Sequence, residues 1–334
     1  AQLPSRFELE LSLLHAESAS DIPENLASSR SLVIYAGSDN EWKNKCAGYH
    51  DFLTQVGIDP VLYIHEKELY ASDFVRRKYR ELFAQRKLLN TIIIRDDNTT
   101  SLTLAENTAE GNLDLSKGAW VARGSDFTET IFTLGLIIKS KTLAQSNFLV
   151  LTEPEFSQDI SLFKGRKYDN YSGAIRRQKV GLALFEKFPN LSLSDQSRAL
   201  IEAYNQRIEE ENTKLKAAFS QFEWSWEPIE YESNKRTLQL GVQYVVQVVG
   251  TYGSTIKRML NYEDENETQY ISVTPGPLGG DVSLLKLDVD QEVYKVYIHQ
   301  VRADDVFAGE EWDADISWPK AIRNFFFTMR RQFE

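Results

Sequence analysis

Cysteine is almost missing from this sequence: Cys46 is the only one in 334 residues. That excludes an intrachain disulfide and any zinc site built from several thiolates. Long apolar runs are missing as well. The greasiest stretch, Ile131 to Ile138, is interrupted by Thr133 and Gly135 and stops at Lys139. It falls far short of the roughly 20 residues that a membrane-spanning helix needs, so no transmembrane segment is expected. Positive charge is scarce, with 38 Lys and Arg against 49 Asp and Glu and a net charge of −11. A nucleic-acid partner is therefore not expected, because phosphate binding needs clustered cations. Neither G-x-x-x-x-G-K-S/T nor G-x-G-x-x-G occurs, so the standard phosphate and dinucleotide loops are absent. No cofactor and no metal is expected.

What is present is a packed globular composition, 42% hydrophobic and 12% aromatic, in a chain long enough for two domains. Phe7, Leu9, Leu11 and Leu13 alternate with Glu8, Glu10 and Ser12, which predicts a half-buried strand. Short β-rich runs at 32–36, 61–65 and 89–94 then alternate with helical patterns, the first through Trp42, Cys46, Tyr49 and Leu53. Trp120-Val121, a helix from Asp126 with Glu129 in a capping-box pattern, and a run at 148–151 continue the alternation. Strands and helices in this order predict right-handed βαβ units. Residues 1–155 therefore read as a doubly wound, mainly parallel α/β domain of the flavodoxin or Rossmann type, with its core at 31–155.

Residues 156–193, including "KGRKYDNYSGAIRRQK", have no stable period and read as a connector. From Ser194 a long helix is marked by Ile201, Tyr204, Ile208, Leu215, Ala218 and Phe222. It is either laid across its own sheet or a coiled-coil arm. Alternation over 238–248 and runs at 269–274, 282–287 and 293–301 predict strands joined antiparallel by short connections. A terminal helix shows Ile322, Phe325, Phe326 and Met329 on one face, with Pro319 in its first turn. Residues 194–334 thus read as an α+β domain with an antiparallel sheet.

In an open α/β sheet, ligands bind at the carboxyl ends of the strands. Those ends carry Gly37-Ser38-Asp39, His65-Glu66 and Arg95-Asp96-Asp97. Asp39, His65 and Asp96 are the candidates for water activation, with Ser38, Glu66 and Arg95 as candidate ligand-binding groups. The competing reading is that strand ends are polar because they meet water, and that Ser38 or Asp39 caps the next helix. In "GTYGSTIKR" (250–258), Lys257 and Arg258 are candidate anion contacts, against a plain glycine turn. Cys46 sits in an apolar stripe and is expected to be inert. His299 shares a strand face with Lys295 and Tyr297 and is expected to be exposed; His15 has no nearby companion.

"GEEWDADISWPKAIRNF" (309–325) sets carboxylates around two tryptophans. Asp313 and Asp315 have a calcium-loop spacing, but the remaining ligands are missing. Trp312 and Trp318 either form a sugar-stacking platform or pack in the core. This segment, with "VYKVYIHQV" before it, resembles the carboxyl ends of uncharacterised exported proteins of Bacteroidota-type bacteria, over about the last 40 residues. The resemblance implies a periplasmic or secreted location and carries no activity. The start at Ala1-Gln2, without an initiator Met, is expected of a chain after signal removal or of a trimmed one. The reading is a non-catalytic binding or scaffolding protein of the envelope, with a small molecule or envelope protein as partner. The alternatives are a cytoplasmic location and a hydrolase-type enzyme, directed at phosphate or nucleotide, using the strand-end residues.

Overall fold

Six strands form the first sheet: β1 (Arg30–Ala36), β2 (Asp59–His65), β3 (Leu88–Asp96), β4 (Thr100–Glu106), β5 (Ala119–Gly124) and β6 (Glu155–Phe156). They lie in the order β5-β4-β3-β1-β2-β6. β1 runs parallel to both neighbours, with Ile34 opposite Ile64 on one side and Ile93 on the other. β6 extends the parallel part, while β4 pairs antiparallel with β3 and β5 antiparallel with β4. The parallel centre expected at 32–36, 61–65 and 89–94 is there. The computed structural model describes residues 3–334 except 18, 20, 38–40, 97–98, 142, 144–145, 148–149, 151, 265 and 275–279. The strand expected at 148–151 falls largely outside the described residues.

The helices of this part are α1 (Arg6–Ala16), α2 (Trp42–Gln55), α3 (Glu66–Leu69), α4 (Asp73–Arg86) and α5 (Phe127–Lys141). Trp42, Cys46 and Leu53 of α2 join Ile131 and Leu134 of α5 over Val33 and Ile92. Phe7 and Leu14 of α1 join Phe74 and Tyr79 of α4 over Leu32, Ile34 and Ile93. Helices therefore cover both faces, and the chain passes from β2 across β1 to β3, which is the doubly wound arrangement. The N-cap of α5 follows the expected box: Glu129 N–H donates to Asp126 Oδ1 at 2.9 Å, and Ser125 N–H donates to Glu129 Oε2 at 2.7 Å.

α1 corrects the strand expected at 7–13. Its N-cap Ser5 accepts from Glu8 N–H at 3.2 Å, and Phe7, Leu9, Leu11, Leu13 and Leu14 are all buried. A helix buried on several sides needs apolar residues around much of its circumference. Alternation then loses its power to distinguish strand from helix.

Eight further strands follow: β7 (Lys167–Tyr168), β8 (Val180–Ala183), β9 (Trp226–Ile229), β10 (Tyr244–Tyr252), β11 (Gln269–Thr274), β12 (Asp281–Lys286), β13 (Glu292–Gln300) and β14 (Asp305–Phe307). β11 and β12 pair antiparallel as a separate ribbon. The others form a sheet in the order β7-β14-β13-β10-β8-β9. Its centre, β10 with β13, is antiparallel as expected. Its flanks correct the expectation of a purely antiparallel sheet, because β8 runs parallel to β10 and to β9, and β7 parallel to β14. The span read as a connector supplies Phe156 of β6 to one sheet and β7 and β8 to the other, so it is part of the scaffold.

The remaining helices are α6 (Asp195–Phe219), α7 (Asn234–Gln239), α8 (Gly253–Met259) and α9 (Trp318–Phe333). α6 is no protruding arm: Ile201, Tyr204, Ile208, Leu215 and Phe219 are buried. The strand expected from 238 begins only at Tyr244. Ser233 caps α7 by accepting from Arg236 N–H at 3.2 Å, and Gly241 breaks the chain with φ 77°. The apolar core beneath α1 and α4 runs on into Val249, Val293, Tyr297 and Val306 of the second sheet. Gly250 N–H donates to the Ala71 carbonyl at 2.8 Å, tying β10 to the turn before α4. The two sheets thus share one core. Among the described residues no helix is long and apolar enough to cross a membrane.

Candidate functional site

The strand-end residues are placed first. His65 is buried at 4% exposure and uses both ring nitrogens: Nε2 is 2.9 Å from the Gly37 carbonyl, and Nδ1 accepts from Lys67 N–H at 3.1 Å. The Gly37 contact makes Nε2 the protonated nitrogen. Burial lowers the imidazole to about 4, so it is neutral at ordinary pH, and Trp42 and Tyr252 pack against its edges. His65 therefore caps α3 and holds the end of β1. Asp96 accepts from Lys45 Nζ at 3.0 Å, Tyr49 Oη at 2.9 Å and Thr100 Oγ1 at 2.9 Å. Burial alone would raise its carboxyl, but these hydrogen bonds outweigh it and hold Asp96 below the usual carboxylate range. Arg95 pairs with Glu8 and lies 5.8 Å from the Phe7 ring. Ser38 and Asp39 lie outside the described residues, as does Asp97. With β1 between them, His65 and Asp96 stand on strands separated by about 10 Å, and the structure does not bring them together.

Lys257 and Arg258 are tied into the scaffold. Lys257 is buried, donates to the Glu267 carbonyl and sits 5.0 Å from the Trp312 ring. Arg258 bonds Glu68 at 3.0 Å and the Gln158 carbonyl at 3.3 Å. His299 corrects the expectation of exposure: it is fully buried, with Nε2 2.9 Å from Asp304 Oδ1. His15 does have a companion, Thr103 Oγ1 at 3.3 Å. Cys46 is fully buried, and burial pushes its thiol up. Among the described residues no group of three or more His, Cys, Asp or Glu is placed to hold a metal.

Glu66 is different. It lines a cavity of about 660 Å³ with Lys67, Arg76, Glu186, Tyr204 and Glu292. A second cavity of about 460 Å³ adjoins it, and Arg6, Tyr70, Arg76 and Glu186 line both. The smaller one lies between α1 and α4. Leu32 and Ile34 of β1, Leu69, Phe83 and Leu115 give it apolar walls, and Arg80 reaches it from α4.

The wall between the two is an ionic network. Arg6 Nε donates to Glu10 Oε1 at 2.9 Å, and Tyr70 Oη donates to the other oxygen at 2.5 Å. Arg76 bonds Glu186, which also takes Arg77 Nη2 at 3.1 Å, while Asp73 lies 3.5 Å from Arg76. Burial would raise the Glu10 carboxyl, yet Arg6, Arg76 and Tyr70 hold it below its ordinary value. Arg76 is only 4% exposed, and its Nε–H has no partner among the described residues. The Arg80 guanidinium has neither a hydrogen bond nor an ion pair there; burial and the nearby Arg76 make its charged form less favourable. A buried donor left unpaired costs about 1–3 kcal/mol. A ligand that supplied an acceptor would recover that cost.

Burial raises Glu66 to about 7, with Glu292 and Glu8 adding repulsion against the attraction of Lys67. A carboxyl raised in the folded state keeps its proton where the unfolded chain has lost it. The contribution of this carboxyl to stability must then fall as pH rises from about 4.5 to 7, by up to about 3 kcal/mol. His65 acts in the opposite sense between about pH 4 and 6.5, since its folded value is depressed. Comparison with Glu66→Gln isolates the carboxyl: the variant should gain on the wild type across that window in urea titrations at stepped pH. Parallel profiles would show that Glu66 stays ionised.

Glu66 was a candidate in the sequence and lines the larger cavity, whereas the arginines of the smaller one were not among the candidates. A signal existed, since Arg76, Arg80 and Phe83 fall at helical spacing on one face of α4, and Phe83 belongs to the buried stripe. No family model matches the chain, and neither does any curated protein or solved structure.

Proposed function

We propose that this chain is a non-catalytic binding protein of the envelope or extracellular space, holding a small molecule between α1 and α4. The observation that carries the reading is the buried Arg76 donor and the Arg80 guanidinium, both without a hydrogen-bond partner among the described residues, on a cavity of about 460 Å³ with an apolar floor, a size usual for ligand sites. Dispersal of the strand-end groups supports binding over catalysis. His65 has no free nitrogen, and the Asp96 carboxylate already accepts three hydrogen bonds. The envelope location rests on the resemblance of the last 40 or so residues, and fractionation of the producing cells should recover the protein outside the cytoplasm. Native mass spectrometry of protein purified without denaturation should show a bound small molecule, lost in Leu115→Trp, which fills the cavity. The same mass in native and denatured protein, with no small molecule stabilising it, would overturn the reading.

One observation favours the hydrolase alternative. Glu66 is a half-buried carboxyl raised to about 7 on the larger cavity, a value suited to a general base. Hydrolysis of p-nitrophenyl phosphate or acetate, rising through pH 7 and abolished in Glu66→Gln, would establish it.

A further inference from the structure

The two cavities differ in chemistry. The larger is ringed by opposed charges that largely satisfy one another: Lys67 lies 3.2 Å from Glu292 and 3.6 Å from Glu66, and Arg77 pairs with Glu186. The smaller has an apolar floor made by the sheet itself, because the side chains of Leu32 and Ile34 rise from β1 into the gap between α1 and α4. Its cationic end is formed by Arg80, with Arg76 and Arg6 behind. Four carboxylates line the cavity: Glu10 is occupied by Arg6 and Tyr70, Glu186 by Arg76 and Arg77, Asp114 accepts from Ser116 Oγ at 2.6 Å, and Glu110 is exposed to solvent. Arg80 therefore has no anion of the protein to itself, although it is partly withdrawn from water.

A guanidinium in that position is costly alone and strongly favourable with an anion, since charge-assisted bonds are roughly twice as strong as neutral ones and Arg presents a planar fork. A neutral sugar or polyol would satisfy the donors but waste the apolar floor. A small, wholly polar anion such as free phosphate would meet the charge and leave Leu32, Ile34, Leu69 and Phe83 facing an unfilled space, forfeiting the larger part of the burial energy. The occupant that satisfies both ends has an apolar body and one anionic head.

We infer that the smaller cavity binds an amphipathic molecule with a single anionic head, its carboxylate or phosphate against Arg80 and Arg76 and its hydrocarbon body over Leu32, Ile34 and Phe83. This rests on the binding function proposed above and names the class of its ligand. Arg76 is part of the ionic wall, and its loss would take a counter-charge from both Glu186 and Glu10. Arg80 has no hydrogen-bonded or ion-paired partner among the described residues to orphan, so it is the residue to change.

The test is isothermal titration calorimetry of the full chain with decanoate, decyl phosphate and decanol, on wild type, Arg80→Gln and Leu115→Trp. Decanoate or decyl phosphate should bind at least tenfold more tightly than decanol. Arg80→Gln should lose about tenfold for the anions and little for decanol, and Leu115→Trp should lose all three. Whichever head binds more tightly identifies the source of the anion. Decanol binding as tightly as the acids, with Arg80→Gln unchanged, would overturn the anionic class while leaving a binding cavity in place. Free phosphate binding as tightly as decyl phosphate would overturn the apolar body. No heat with any of the three, in a protein that still carries a small molecule in native mass spectra, would exclude this class alone; no heat and no bound molecule would remove the binding function with it.

Discussion

Replacing Lys295 by Met should destabilise the protein by about 3–5 kcal/mol, measured by urea unfolding at neutral pH. Lys295 on β13 is fully buried, and its ammonium bonds Asp313, itself 1% exposed. Thr328 Oγ1 donates to the other carboxylate oxygen at 2.8 Å, and Asn324 Nδ2 donates to the Asp313 carbonyl at 3.1 Å. The network fastens the segment before α9 to the second sheet. Met fills nearly the same space as Lys, so the loss comes from a carboxylate left without its counter-charge in an apolar interior. The double variant Lys295→Met, Asp313→Leu should recover most of it, because neither charge then remains to be solvated. A loss under about 1 kcal/mol in the single variant would mean that the carboxylate is reached by water.

Trp318→Ala should cost a comparable amount, about 3–5 kcal/mol. Trp318 is fully buried at the start of α9, packs edge-on against Phe185 at 5.8 Å, and donates Nε1–H to Glu211 Oε2 at 3.1 Å. Removing the ring opens a large cavity and deprives a buried carboxylate on α6 of a donor. Trp318→Phe keeps most of the packing and should lose only about 1–3 kcal/mol. The contrast between the two variants separates packing from hydrogen bonding. It also corrects the sugar-platform reading of this tryptophan, since a ring with no exposed surface offers nothing for a sugar to stack on.

The first domain was legible because β1, β2 and β3 are continuous apolar runs separated by helices, and only parallel strands covered on both faces look like that. β4 was harder to see: "TSLTLAE" is short and half polar, and its partner strands, rather than its own pattern, make it a strand. α1 was misread because a helix enclosed by a sheet, α6 and the loop before β5 shows apolar residues on most sides. The parallel flank β8–β10 joins strands separated by all of α6 and α7, and no local pattern encodes such a pairing. Glu66 stood out in the sequence because strand ends in α/β sheets are where ligands gather. Arg76 and Arg80 were missed because arginine on a helix is ordinarily solvated, and their meaning depends on α1 and residues 186–193 closing over them.

Hydrogen exchange of the protein with and without its bound small molecule tests the central claim most directly, because it locates the site without assuming the ligand's identity. The account predicts slowed exchange in α1, in the amides at 69–83 on α3 and α4, and in the loop at 107–116, with the strand ends at 37 and 95–96 unaffected. Protection confined to the strand ends, or to the larger cavity around Glu66 and Glu292, would contradict it.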